Sequence, residues 1–204
     1  MKINRIYLSA CVISLLLASN AQAEDIPTYP NIGTINPVTY TFTATTTGQI
    51  DAYFAGSTAS FDNTLSLLVN GVVTPQTSPG VLDDHTSSIG QMVNLGYVNA
   101  GDVLTFQLNV ISTGGTWYSN PSMNSDGMNH VYSTSFSGNT GYSIPAGTYV
   151  AFEDLPKNSS DLNYHDENFV FTNVTTAVPE PETYAMLLAG LGLMGFMVRR
   201  KKTA

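Results

Sequence analysis

Cysteine is almost missing from this chain of 204 residues, which has only Cys11. That excludes a disulfide framework, and it excludes a thiol nucleophile from anything that outlives removal of the N-terminus. Basic residues are equally scarce where a folded domain is expected. Lys2 and Arg5 open the chain, Arg199, Arg200, Lys201 and Lys202 close it, and Lys157 stands alone between. All 15 Asp and Glu lie between positions 24 and 182. An anionic segment without cations repels nucleic acid and anionic lipid, so no nucleic-acid partner is expected. There is also no spaced histidine pair among His85, His130 and His165, and no Gly-x-Ser-x-Gly elbow. A transition-metal centre and a serine hydrolase are therefore not expected, and neither is any enzyme.

The two ends read as addresses. Residues 1–23 combine basic Lys2 and Arg5, an apolar stretch over 6–18, and Ala21-Gln22-Ala23. That is the pattern of a secretory signal peptide cut by signal peptidase before Glu24, with Ala21 and Ala23 as the small residues at the cleavage site. Leu8-Ser9-Ala10-Cys11 resembles a lipoprotein lipidation box, but here the apolar stretch follows the cysteine instead of preceding it.

At the other end, Pro179-Glu180-Pro181 precedes an uncharged run over 184–198 and a basic close beginning Arg199-Arg200. The prolines keep the residues before them extended and open to a protease. As a helix the apolar run reaches about 22 Å at about 1.5 Å per residue, short for a bilayer core of about 30 Å. The basic end would stay on the cytoplasmic side. This tripartite tail resembles the PEP-CTERM sorting signal. The resemblance implies recognition at Pro179, Glu180, Pro181, Arg199 and Arg200 by an exosortase, a transient stay in the inner membrane of a Gram-negative bacterium, and transfer to the cell surface or extracellular matrix.

Between the ends, alternation replaces any helical period. Val38, Tyr40, Phe42 and Ala44 alternate with threonines, and Leu104, Phe106, Leu108 and Val110 alternate with polar residues. Asn70-Gly71 between 65–69 and 72–73 predicts a hairpin whose turn needs positive φ twice. Further strands are predicted over 50–54, 91–98, 130–136, 148–152 and 169–174, separated by Gly, Pro, Asn and Ser clusters. The fold class expected is all-β, a single antiparallel β-sandwich or jelly-roll-like domain. Its parts are a signal peptide (1–23), a mature leader (24–36), the domain (37–174), a linker (175–178), and a sorting signal with a short transmembrane helix (179–204).

Chemistry concentrates in one acidic stretch. Glu153, Asp154, Asp161, Asn163, Asp166 and Glu167 flank two predicted strands, and so many anions need water, backbone donors or a cation to balance them. Calcium suits an all-oxygen set in loose geometry, and a solvated loop whose carboxylates cap backbone amides is the other reading. Residues 160–171 also resemble the end of the bacterial surface domain DUF4114, with Asp161, Tyr164 and Asp166 on its pattern and Asn163 and His165 departing from it. Asn124-x-Asp126-Gly127 has the start of an EF-hand loop without its final glutamate. Asp83-Asp84-His85 reads as a polar turn. Trp117 and Tyr118 either stack on a glycan from a loop or plug one end of the domain.

The expectation is therefore an exported, exosortase-sorted surface or matrix protein with a structural or adhesive, calcium-assisted role, in contact with exopolysaccharide. The alternative is a secreted carbohydrate-binding or carbohydrate-cleaving module, the latter using Glu153 with Asp166.

Overall fold

The computed structural model describes residues 26–177, 189–191 and 194. The expected signal-cleavage residues Ala21 and Ala23, the sorting residues Pro179, Glu180, Pro181, Arg199 and Arg200, and most of the expected transmembrane segment lie outside these. Among the described residues no helix is long and apolar enough to cross a membrane.

The described chain is nearly all strand: β1 (Thr41–Ala44), β2 (Gly48–Ser57), β3 (Asn63–Val69), β4 (Val72–Val73), β5 (Met92–Val98), β6 (Val103–Val110), β7 (Gly115–Tyr118), β8 (Val131–Phe136), β9 (Gly147–Phe152), β10 (Glu167–Phe171) and β11 (Val174–Ala177). Two antiparallel sheets result. One runs β11-β1-β6-β3-β4 with β7 also paired to β6, and the other runs β5-β2-β10-β9-β8.

Alternation decides which side chains meet. Phe42, Leu65, Leu67, Leu104, Phe106 and Leu108 from the first sheet share one core with Ile50, Phe54, Val150, Phe152, Phe169 and Phe171 from the second. Phe106 stacks on Phe171 across the gap, with centroids 3.9 Å apart and planes 14° from parallel. Phe42 meets Phe106 edge-on at 5.1 Å. Offset and edge-on pairs of this kind add about 0.5–1.5 kcal/mol to what burial supplies.

The outer face of the second sheet is covered as well. Tyr149, Ala151, Val170, Phe136 and Ile144 form a second cluster, with Ile26 packed against it. The leader is therefore docked along this sheet. Tyr29 packs on Tyr132 and Tyr164, and the buried Asn36 donates through Nδ2 to the Tyr40 hydroxyl and the Val131 carbonyl.

The hairpin at Asn70-Gly71 forms as expected, with φ of 49° and 85°. Two expectations need correction. The strand predicted over 169–174 ends at Phe171, because Asn173 turns the chain with φ 60°. Asparagine tolerates that conformation, and its amide bonds to Thr46 and Gln49 hold the turn. The chain then enters the other sheet, so residues 175–177 of the expected linker belong to β11, with Ala177 opposite Thr41. The second correction is that Trp117 and Tyr118 lie in β7 and not in a loop, with Trp117 opposite Leu108.

Phe169 is fully buried in the shared core, in ring contact with Phe54, Phe152 and Phe171. Phe169→Ala should lower the unfolding free energy by about 3–5 kcal/mol. Urea unfolding would measure this, and a loss under about 1 kcal/mol would mean that the two sheets do not share this core.

Candidate functional site

Strand pairing builds the acidic site. Phe152 of β9 lies opposite Glu167 of β10. One further step of the same register sets Glu153 beside Asp166, and the Asp166 N–H donates to the Phe152 carbonyl at 3.0 Å. The Asp154 N–H donates to Asp166 Oδ2 at 2.9 Å, and the Tyr164 N–H donates to Glu153 Oε2 at 3.4 Å. One carboxylate oxygen each from Glu153, Asp154 and Asp166 lies within 4.8 Å of the other two. Oxygens bound to one calcium at about 2.3–2.6 Å lie no more than about 5 Å apart, so this spacing fits a shared cation.

The intervening loop is anchored by Tyr164, whose φ is 52° and whose ring is buried. Its hydroxyl donates to the Asn129 carbonyl and accepts from the Asn36 N–H, both at 2.9 Å. Burial pushes this hydroxyl up to about 12. The loop is thereby tied to the leader and to the start of β8.

The six oxygen-bearing residues singled out in the sequence do not all meet. Glu153, Asp154 and Asp166 converge. Asp161 is exposed, and its carboxylate accepts from the backbone and side-chain amides of Asn163. Glu167 is fully buried and points inward from β10, in phase with Phe169 and Phe171. Neither of its carboxylate oxygens receives a hydrogen bond from a described residue.

Burial without a compensating charge raises the whole group. Glu153 is shifted upward by desolvation, to which Asp161 adds repulsion. Asp154 is pushed up to about 6 and Asp166 to about 7, in both cases first by burial and then by neighbouring carboxylates. Among the described residues Lys157 is the only lysine or arginine, and it is exposed.

The neighbouring motifs have structural roles. Asn124 Oδ1 accepts from the Tyr118 N–H, while Asp126 accepts from the N–H groups of Met128 and Lys157. The partial EF-hand pattern is thus a set of backbone caps. His130 is fully buried, and its Nδ1 lies 2.9 Å from the Glu153 carbonyl oxygen. Burial lowers its pKa. Trp117 stacks on that ring at 3.8 Å, donates from Nε1 to the Asp154 carbonyl at 2.7 Å, and is only 7% exposed. Of the two roles left open for Trp117, this is the geometry of the plug; Tyr118 beside it is half-buried.

Sequence reading missed Asn63 and Asp84 as neighbours of this site. Asn63 Nδ2 donates to Asp154 Oδ2 at 3.0 Å, and Asp84 Oδ1 accepts from the Asn63 N–H at 2.7 Å. The available signal was phase: Asn63 occupies the inward positions of Leu65 and Leu67, where a polar residue is out of place.

The raised carboxyls set a pH dependence. Unfolded carboxyls titrate near about 4, whereas Asp154 and Asp166 keep their protons to about 6 and 7. Their proton-linked contribution is complete below about pH 4 and is lost as pH rises through both folded values. Thermal melts in chelator should give a Tm that falls between pH 5 and 8. A Tm that rose across that window would contradict this electrostatic account.

Neither a curated protein nor a solved structure matches the chain. Residues 177–201 match the family model described as the PEP-CTERM protein-sorting motif. At its C-terminus the chain therefore carries the motif of an exported protein sorted through the membrane, with exosortase as the processing partner.

Proposed function

We propose that this is a non-enzymatic β-sandwich module displayed at the cell surface or in the extracellular matrix of a Gram-negative envelope, with a structural or adhesive role that calcium assists. The observation that carries the calcium reading is the convergence of Glu153, Asp154 and Asp166 at the junction of β9 and β10. The donor set is all oxygen, and no cationic side chain among the described residues ion-pairs with it. Calcium there would tie the start and end of the loop together and offset the repulsion that raises all three groups.

A structural role is favoured over catalysis by burial. Glu153 is 1% exposed, which disfavours its meeting a sugar ring together with the half-buried Asp166. The glycan-binding alternative loses its anchor, because His130 covers one face of Trp117. Exopolysaccharide or another matrix polymer is the partner in this reading, reached through the compartment to which the sorting motif leads.

Melts of the full-length chain, purified in detergent, test the cation. Calcium at about 100 times its dissociation constant adds about 2.7 kcal/mol, a Tm rise of several degrees over chelator. The rise should shrink in Asp166→Asn. Equal melts of the native chain in calcium and in chelator would remove calcium from the function.

Sorting has its own test. With Pro179, Glu180 and Pro181 all replaced by alanine, fractionation and immunoblotting should find uncleaved chain in the inner membrane. Unchanged delivery of a processed form would mean that this motif does not direct sorting.

A further inference from the structure

A second set of oxygens lies at the end of the core, between the two sheets. Three inward-facing rows end there in polar groups. Leu67 and Leu65 lead to Asn63 on β3, and Phe171 and Phe169 lead to Glu167 on β10. Val150 and Phe152 lead to Asp154 just beyond β9. Asn63 and Glu167 are fully buried and Asp154 is 4% exposed.

Asp84 closes this end from the turn after β4, its side chain only 1% exposed. Its Oδ1 accepts from the Asn63 N–H at 2.7 Å, and its Oδ2 lies 3.2 Å from Ser57 Oγ, whose single proton has the Asp166 carbonyl nearer, at 2.6 Å. Ser57 is the residue opposite Glu167 in the β2–β10 pairing, which sets Asp84 and Glu167 beside the same residue.

This end has too few donors for its acceptors. Both carboxylate oxygens of Glu167 and Oδ1 of Asn63 are buried, and none receives a hydrogen bond from a described residue. The Asn63 donors are already committed to Asp84, Asp154 and the Phe61 carbonyl. His85 Nδ1 lies on the outer side, 2.9 Å from Asp62 and 3.2 Å from Asp84. Burial, together with the carboxylates of Asp84, Asp83 and Asp154, drives the Glu167 carboxyl well above the usual range. A proton on Glu167 would relieve one charge and supply one donor. A divalent cation would engage Glu167 and Asn63 Oδ1 together while neutralising Asp84 and Asp154.

We propose that Glu167, Asn63 Oδ1, Asp84 and Asp154 form a second divalent-cation site between the sheets, whose all-oxygen donors suit calcium. It extends the calcium reading above, because Asp154 serves both positions, but its other ligands are separate. Calcium bridges the two sheets here, whereas the Glu153–Asp154–Asp166 position ties one loop of one sheet.

Equilibrium dialysis of the full-length chain in detergent against radioactive calcium counts the ions. The native chain is expected to bind two. Glu167→Gln, which keeps the shape of the side chain, and Asp84→Asn should each bind one, as should Asp166→Asn, which removes the other position. The inter-sheet site is overturned, with the loop site left standing, if Glu167→Gln and Asp84→Asn bind as many ions as the native chain. One ion that is kept in Asp166→Asn and lost in Glu167→Gln would support the inter-sheet site and overturn the loop site instead. No calcium bound to the native chain overturns both.

Discussion

Phe152 paired with Glu167 fixes the chemistry of this molecule. With that pair set, Asp166 must stand beside Glu153, and Glu167 must point the same way as Phe169 and Phe171, into the gap between the sheets. A slip of one residue would turn Glu167 out to the other face and take Phe169 and Phe171 out of the core with it. Burying one such aromatic side chain is worth about 1.5–3 kcal/mol, and β10 contributes two to the shared core. The apolar side chains thus hold the register, and the carboxylates are carried where they would not go alone.

The cost appears in the acidic end. Glu153, Asp154, Asp166 and Glu167 are all shifted toward their protonated forms, with burial as the leading cause. Asp126 shows the contrasting case. It too is partly desolvated, but N–H donors from Lys157 and Met128, with the His130 ring beside it, hold it below the ordinary carboxylate range. The difference between an acidic cap and an unbalanced acidic cluster in this protein is therefore a matter of donors. Asp126 is supplied with them by the backbone, and Glu167 is not.

Much of the fold was legible from alternation, because each sheet buries one face against the other and the period of two survives in β1, β3 and β6. It failed at edges and corners. β7 (Gly-Thr-Trp-Tyr) and β11 (Val-Thr-Thr-Ala) do not alternate apolar with polar side chains, and β11 follows β10 after a turn of two residues. The acidic stretch was legible as a cluster, but its division was not. Asp161 accepts from both amides of Asn163 in the loop between β9 and β10, whereas Glu167 belongs to a strand and takes its direction from that strand's phase. Asp84 lay beyond any local reading, since it reaches the site only when the segment after β4 folds back over Asn63.

The missing cysteine and the surplus of carboxylates belong to one argument. A small exported domain commonly ties its strands with disulfides, and the described part of this chain has none to form. What stands where such a tie would be useful, at the end of the core and across both sheets, is a set of buried oxygens short of donors. On the calcium reading, the tie is supplied by the medium after export. An exported chain would then carry a domain weakened at one end by its own charge, and it would tighten only where a divalent cation is plentiful. The physical requirement is the same one that sets the register. The aromatic rows bring the carboxylates together, and on the calcium reading a cation decides how firmly the two sheets close over them.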